Sequence, residues 1–134
     1  MKKICLSLIL ASAALLAQPA LSAGPEGVRV TPVMAQDLAD MPGKEGLMIT
    51  VDYAPGAADP VHRHLAHAFV YVLEGSIVMQ IKGGKEVTLT AGQSFYEGPK
   101  DIHTVGRNAS TTQPAKFLVL LLKKKKAEVL ELVK

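Results

Sequence analysis

Three of the chain's four histidines, His62, His64 and His67, lie within six residues of one another in the stretch DPVHRHLAHAFVYVLEG, Asp59 to Gly75. The fourth, His103, follows some forty residues later in GQSFYEGPKDIHTVGRN. His62 and His64 are two apart, and in an extended chain residues i and i+2 point to one face, so their imidazoles can converge on one point. Imidazoles that converge suit Zn(II), Fe(II), Cu(II), Ni(II) or Mn(II). A metal held with an open position can polarise a carbonyl, activate water or bind dioxygen. Histidines in scattered structural use would not fall into two segments, as all four do here.

Short β-type segments must position these groups. GVRVTPV and GLMITVDY come first, the second ended by Pro55-Gly56; then FVYVLEG, SIVMQIKGGKEVTLTAG with a hairpin turn at Gly83-Gly84, QSFYEGP and AKFLVLLL. Strands of this length, broken by Gly, Pro and Asn, indicate an all-β antiparallel sandwich or barrel. The C-terminal AEVLELVK is the one segment expected to be helical, with Val129, Leu130 and Val133 on one side. There is no internal repeat and no linker.

The opening MKKICLSLILASAALLAQPALSAGPEG has two lysines, an apolar run from Ile4 to Leu16, and small residues around Ala20 to Ala23. This is the pattern of a secretory signal peptide, with an apolar run too short for a membrane anchor. We therefore expect residues 1–23 to be removed, residues 24–134 to form a single domain, and the protein to be periplasmic or extracellular with no membrane anchor after cleavage. The only cysteine, Cys5, leaves with the signal, so packing, aided by a metal, must stabilise the domain. Without Lys2 and Lys3 the formal charge of +3 falls to +1, thirteen basic against twelve acidic residues. With so balanced a charge and six Phe and Tyr in all, a nucleic-acid partner is not expected. The run KKKK, Lys123 to Lys126, directly after FLVLLL, reads as a charged guard against edge pairing of a sticky strand.

The two histidine segments resemble the paired motifs of the cupin superfamily, in its small single-domain (cupin type 2) form. The first motif is matched by Gly56, His62, His64 and Gly75, and the second by Gly92, Gly98-Pro99 and His103. The resemblance runs from about Gly46 to Leu122, and it implies a double-stranded β-helix, or jelly-roll, barrel with a metal held inside by the motif residues. It makes His62, His64 and His103 the metal ligands. The family's acidic ligand would fall at position 68, which is Ala68, while Lys100 stands where a glycine is usual and Asn108 lies one residue beyond the usual spacing. Two groups are candidates to replace the carboxylate. If Phe95 packs inward, Glu97 shares its face and enters the barrel near His103; alternatively, His67 supplies a fourth imidazole if its loop bends inward.

The resemblance implies one divalent transition metal, Zn, Fe, Mn, Ni or Cu, and a small-molecule substrate. The expected function is an exported metalloenzyme of dioxygenase, isomerase or decarboxylase type, with Glu97 as its candidate catalytic acid or base. The alternative is a non-catalytic ligand- or metal-binding barrel that has lost its metal carboxylate. Walls drawn from Met48, Met79, Phe95, Val70 and Val72, according to which parity faces inward, favour a weakly charged organic substrate. Arg63 is expected to point outward and Arg107 to sit in a loop near the mouth. A homodimer is expected to form through edge pairing of KFLVLLL or the VRVTPV arm.

Overall fold

The computed structural model describes residues 25–134; the expected signal peptide, residues 1–23, lies outside them. Ten strands follow in order: β1 (Val28–Asp37), β2 (Lys44–Tyr53), β3 (His62–Arg63), β4 (His67–Glu74), β5 (Ser76–Ile81), β6 (Val87–Thr90), β7 (Ser94–Glu97), β8 (His103–Asn108), β9 (Ala115–Lys124) and β10 (Glu131–Leu132). They form two five-stranded sheets, one in the order β1-β2-β9-β4-β7 and the other in the order β10-β3-β8-β5-β6. Every strand pairing is antiparallel. This is the all-β jelly-roll barrel that the strand pattern and the motif resemblance imply.

Period-two alternation sets the two faces. On β4, Ala68, Val70 and Val72 are buried while His67, Phe69 and Tyr71 are exposed; on β9, Phe117, Val119 and Leu121 are buried. Each of these inward β9 side chains contributes about 1.5–3 kcal/mol of burial. Tyr53 packs edge-on against Phe117 with ring centroids 5.0 Å apart, closing one end of the core. Between β4 and β5 the chain reverses at Gly75, whose φ is +70° and where an added Cβ would lie 2.5 Å from the Pro114 carbonyl oxygen. Only glycine fits that turn.

Three expectations are corrected here. The C-terminal segment is not helical: Glu131 and Leu132 pair with Arg63 and His62, and the Val133 amide donates to the Val61 carbonyl at 3.0 Å. Two turns of helix are marginal alone, whereas the extended form completes a sheet and packs Val129 against the core. KFLVLLL is a central strand with β2 and β4 on its flanks, so it offers no free edge. Its lysines therefore guard no edge. Lys123 is buried and donates to Glu45 at 2.7 Å, and Lys125 donates to Asp37 at 2.7 Å. Among the described residues no helix is long and apolar enough to cross a membrane.

Candidate metal centre

His62 enters the barrel from the short strand β3, directly opposite His103 on β8. His64 follows two residues on, and Leu65 then turns the chain at φ +33°, a left-handed value that a branched side chain rarely adopts. That turn lets Ala66 bury and starts β4 at His67. On the neighbouring strand, Glu97 is the register partner of Ala68. Both face inward, Ala68 at 0% and Glu97 at 2% exposure. Phe95 is packed against the core on the same side of β7.

The donor atoms converge. His62 Nε2 lies 3.2 Å from His64 Nε2 and 3.3 Å from His103 Nδ1. Glu97 Oε2 is 3.5 Å from His103 Nδ1 and 3.8 Å from His64 Nε2. The tightest set is His62, His64 and Glu97, whose ligand atoms all lie within 4.8 Å of one another, and His103 closes it from the other side. A metal about 2.0–2.1 Å from each donor would hold neighbours about 2.9 Å apart in octahedral and about 3.3 Å apart in tetrahedral geometry. The observed spacings fit that scale with little movement.

Hydrogen bonding gives the cluster its sign. His62 Nδ1 faces the Pro60 carbonyl at 2.8 Å and His64 Nδ1 faces the Val129 carbonyl at 2.7 Å. A carbonyl only accepts, so each Nδ1 carries the proton and each neutral ring turns a bare Nε2 lone pair inward. Glu97 Oε2, 3.8 Å from the His64 Nε2 lone pair, is buried without any hydrogen-bond partner. Acceptors facing acceptors at such distances repel unless a cation sits among them. The donor set fits a divalent metal.

Burial, reinforced by the neighbouring Asp59 and Asp101 carboxylates, pushes the Glu97 carboxyl up to about 7. Burial and the adjacent His62 push His103 down to about 3, opposed by a backbone bond to Val105, with His64 adding to the depression. His64 is likewise lowered by burial, with its bond to Val129 acting the other way. Below about pH 7 Glu97 therefore holds a proton that a metal must displace. The sign follows: metal affinity falls as pH drops below 7, Glu97's share being about tenfold per unit. Titration with Zn(II) at several pH values should show that share disappear in Glu97→Gln.

The remaining expected residues are placed as follows. His67 points away from the interior: it is exposed, and its Nδ1 is 2.6 Å from the Tyr96 hydroxyl on the outer face of the sheet. It does not meet the cluster, because strand alternation already begins at His67 and sends Ala68 inward instead. Arg63 also points out and pairs with Glu131 at 3.0 Å. Arg107 is on β8 rather than in a loop, 3.7 Å from Glu86. Asn108, one residue late for the family spacing, is a structural tie whose amide donates to the carbonyls of Tyr53, Ala54 and Gln113 while its oxygen accepts from the Ser110 amide.

Three contributors escaped the motif reading. Asp59 lines the interior and accepts a hydrogen bond from Tyr53. Burial raises both groups, Tyr53's bond and His62 pulling Asp59 back down, and Tyr53 keeps its hydroxyl proton and donates it to Asp59. Gly106 is the third: an added Cβ would sit 2.8 Å from His103 Cε1 and 3.2 Å from Asp59 Oδ2, both within the site. Gly106→Ala should push the His103 ring off its position, costing about 1–3 kcal/mol of stability and about tenfold in metal affinity, readable by thermal melts and Zn(II) titration. Only the DP dipeptide before the histidines and the glycine after His103 hinted at these roles.

The donors open into a cavity of about 60 Å³, walled by apolar groups such as Val51, Val70, Met79, Phe117 and Val119, with Val129 and Leu130 at one side. Val70 and Met79 are among the expected wall residues; Met48 faces outward from the sheet, and Val72 is buried in the core.

Fold and donor set together define a small jelly-roll barrel with a candidate mononuclear metal centre. Residues 49–121 of the 134 match the family profile described as Cupin domain, and the chain belongs to the cupin family. Among solved structures it is similar to the polyketide cyclase RemF from Streptomyces resistomycificus, at 20% identity and TM-score 0.62 over 83% of this chain and 74% of that one. It is similar to an oxalate oxidase in complex with glycolate, at 26% identity and TM-score 0.62 over 92% of this chain and 63% of that one. It also resembles the DMSP lyase DddQ from Ruegeria pomeroyi DSS-3, at 20% identity and TM-score 0.59 over 66% of this chain, spanning only 43% of the lyase. No curated protein sequence is matched.

Proposed function

We propose that His62, His64, His103 and Glu97 hold one divalent transition metal and that the protein is a small exported metalloenzyme acting on a weakly charged organic substrate. The observation that carries this reading is the buried, unpartnered Glu97 oxygen aimed at imidazole nitrogens 3.5 and 3.8 Å away. Such a metal supplies a Lewis acid able to polarise a substrate oxygen. The chain's own part is orientation: Pro60 and Val129 carbonyls fix the two Nε2 lone pairs, and the apolar walls exclude water and select compact groups of low charge. Asp59, held by the hydrogen bond it accepts from Tyr53, is the remaining polar group facing the substrate space and is the one positioned to exchange a proton there. The oxalate oxidase holding glycolate is a neighbour that binds a small oxygen-bearing molecule on the same fold, in keeping with such a substrate. Export rests on the N-terminal pattern and fits a metal acquired outside the cytoplasm, where Zn and Cu are favoured by affinity.

The test is metal content by plasma mass spectrometry on protein purified from the cell envelope without chelator or a histidine tag. We expect near-stoichiometric metal that is absent from His62→Ala, and turnover among small hydroxy acids, enols and thioethers that disappears in the same variant. No metal after incubation with Zn, Mn, Fe, Ni and Cu in turn would overturn the reading. Metal without turnover would assign a binding barrel instead.

A further inference from the structure

The cavity at the metal centre is too small to enclose most organic molecules. Its volume is about 60 Å³, whereas a dry cavity of roughly 150 Å³ takes one benzene and sites for drug-sized ligands run to roughly 300–1,000 Å³. Beside a metal there is room for the coordinating atoms of a substrate and little more, so the rest must lie at the mouth. The mouth falls between the outermost strands of the two sheets. Val30 of β1 and Leu130, immediately before β10, both line the cavity, yet they are 46% and 38% exposed. Register extends this apolar lining outward on both sides. Val30 and Pro32 are the cross-strand partners of Val51 and Ile49, which form the cavity wall, and partners in such a pair share a face. Pro32 is also exposed. On the other sheet Leu132 is the partner of the ligand His62, so it lies on the ligand's side of β10, and it is 66% exposed. The nearest charges, Arg63 and Glu131, are partners on the opposite side of those strands and neutralise each other at 3.0 Å. Four inward-facing apolar side chains left open to solvent thus border the entrance.

On the basis of the metal centre proposed for the three histidines and Glu97, we propose that Val30, Pro32, Leu130 and Leu132 form a substrate collar. The ligand it selects is amphipathic: a compact oxygen-bearing head of low charge enters to the metal, and an extended alkyl or aryl body lies on the collar outside. Two features select a small-molecule body as the occupant. The collar is continuous with the cavity, since Val30 and Leu130 belong to both. A folded partner seated there would seal the centre, whereas the body of a substrate covers the collar only while its head is bound. The collar also carries no charged side chain, so sugars, phosphates and polycarboxylates would lose water there without gaining a hydrogen bond. Exposed apolar surface placed at the rim of a site is the expected counterpart of an apolar ligand. Val30 and Leu132 are therefore specificity-determining residues, touching the body of the substrate rather than its reacting atoms.

Alkyl hydroxamic acids are the probe, because their head is uncharged near neutral pH and chelates metals through two oxygens while the chain length is free to vary. Protein loaded with Co(II) is titrated with acetohydroxamic and octanohydroxamic acid, following the visible absorption of the metal. Each methylene that settles on the collar should gain about fourfold in affinity. Octanohydroxamic acid should therefore bind at least about thirtyfold more tightly than acetohydroxamic acid. Leu132→Asn and Val30→Asn, each folded by circular dichroism, should cut that ratio below about tenfold, and the double variant should bring it near unity. Val87→Asn, on β6 at the far edge of the second sheet, should keep the wild-type ratio. Protein that takes up no Co(II) overturns the metal centre and the substrate class with it. Co(II) uptake with no tighter binding of the longer chain overturns the collar alone. A gain that persists in both folded variants overturns it too, because the chain then lies elsewhere.

Discussion

Moving the carboxylate one strand over, as Ala68→Glu/Glu97→Ala, should restore the metal binding that Glu97→Ala alone removes. The two positions are direct cross-strand partners on β4 and β7, and both side chains face the interior. Opposite residues in such a pair have Cβ atoms about 4.5–5.5 Å apart, so a glutamate at either can bring an oxygen to the same imidazoles. Glu97→Ala removes the only carboxylate in the tight donor set and leaves the imidazoles without an anionic counterpart. Loss of one partner from a buried charged cluster costs about 3–5 kcal/mol, so Zn(II) affinity should fall at least a hundredfold. The double variant should recover to within about tenfold of wild type. Ala68→Glu alone should do worse than wild type, because two carboxylates then compete for one buried space and raise each other's proton affinity. Calorimetric titration of the four proteins completes the cycle. A double variant no better than Glu97→Ala would mean that the site does not accept the carboxylate from position 68, and unchanged affinity in Glu97→Ala would remove Glu97 from the ligand set.

That relocation explains what the sequence could and could not reveal. The His-x-His pair and its distance to His103 identify the centre because local chain geometry alone aims His62 and His64 together. The gap at Ala68 was visible too, since one residue of spacing decides it. Glu97 was reachable by parity from Phe95, yet its position opposite Ala68 depends on the β4–β7 register, a long-range pairing that no local pattern states. His67 illustrates the reverse error. As a loop residue it would be free to bend inward, but it is the first residue of β4, and alternation fixes it outward with Phe69 and Tyr71. For Gly106 and Asp59 the sequence offers only the residue types, because their role is a close approach across strands, which appears only when β8 and the Asp59 segment are packed together. The C-terminal segment was misread as helix for a related reason. Its apolar spacing suits a short helix in isolation, and the partner that makes it a strand lies almost seventy residues earlier.

That partner gives the C-terminal segment its own part in the site. Deleting residues 127–134 should weaken metal binding about 10–100-fold while leaving the barrel folded. The segment lies beyond the stretch that matches the family, residues 49–121, yet its Val129 carbonyl holds the His64 Nδ1 proton at 2.7 Å. Without that acceptor His64 is free to rotate and to carry its proton on Nε2, the nitrogen that faces the cluster. The deletion also removes β10 from the edge beside β3 and opens the cavity where Val129 and Leu130 line it. The main sheet cost is small, because β10 is two residues long and pairs only with β3, whereas the core rests on β2, β4 and β9. Arg63→Ala is the matched control: it breaks the exposed bond to Glu131, worth about 0–1 kcal/mol, without touching Val129. Its metal affinity should stay at the wild-type value. If the truncated chain melts cooperatively and still binds Zn(II) with wild-type affinity, the carbonyl is not what orients His64, and the burial of the ring alone must hold it. If affinity falls while Arg63→Ala is unchanged, the last eight residues act as a strap whose backbone sets the tautomer of one ligand.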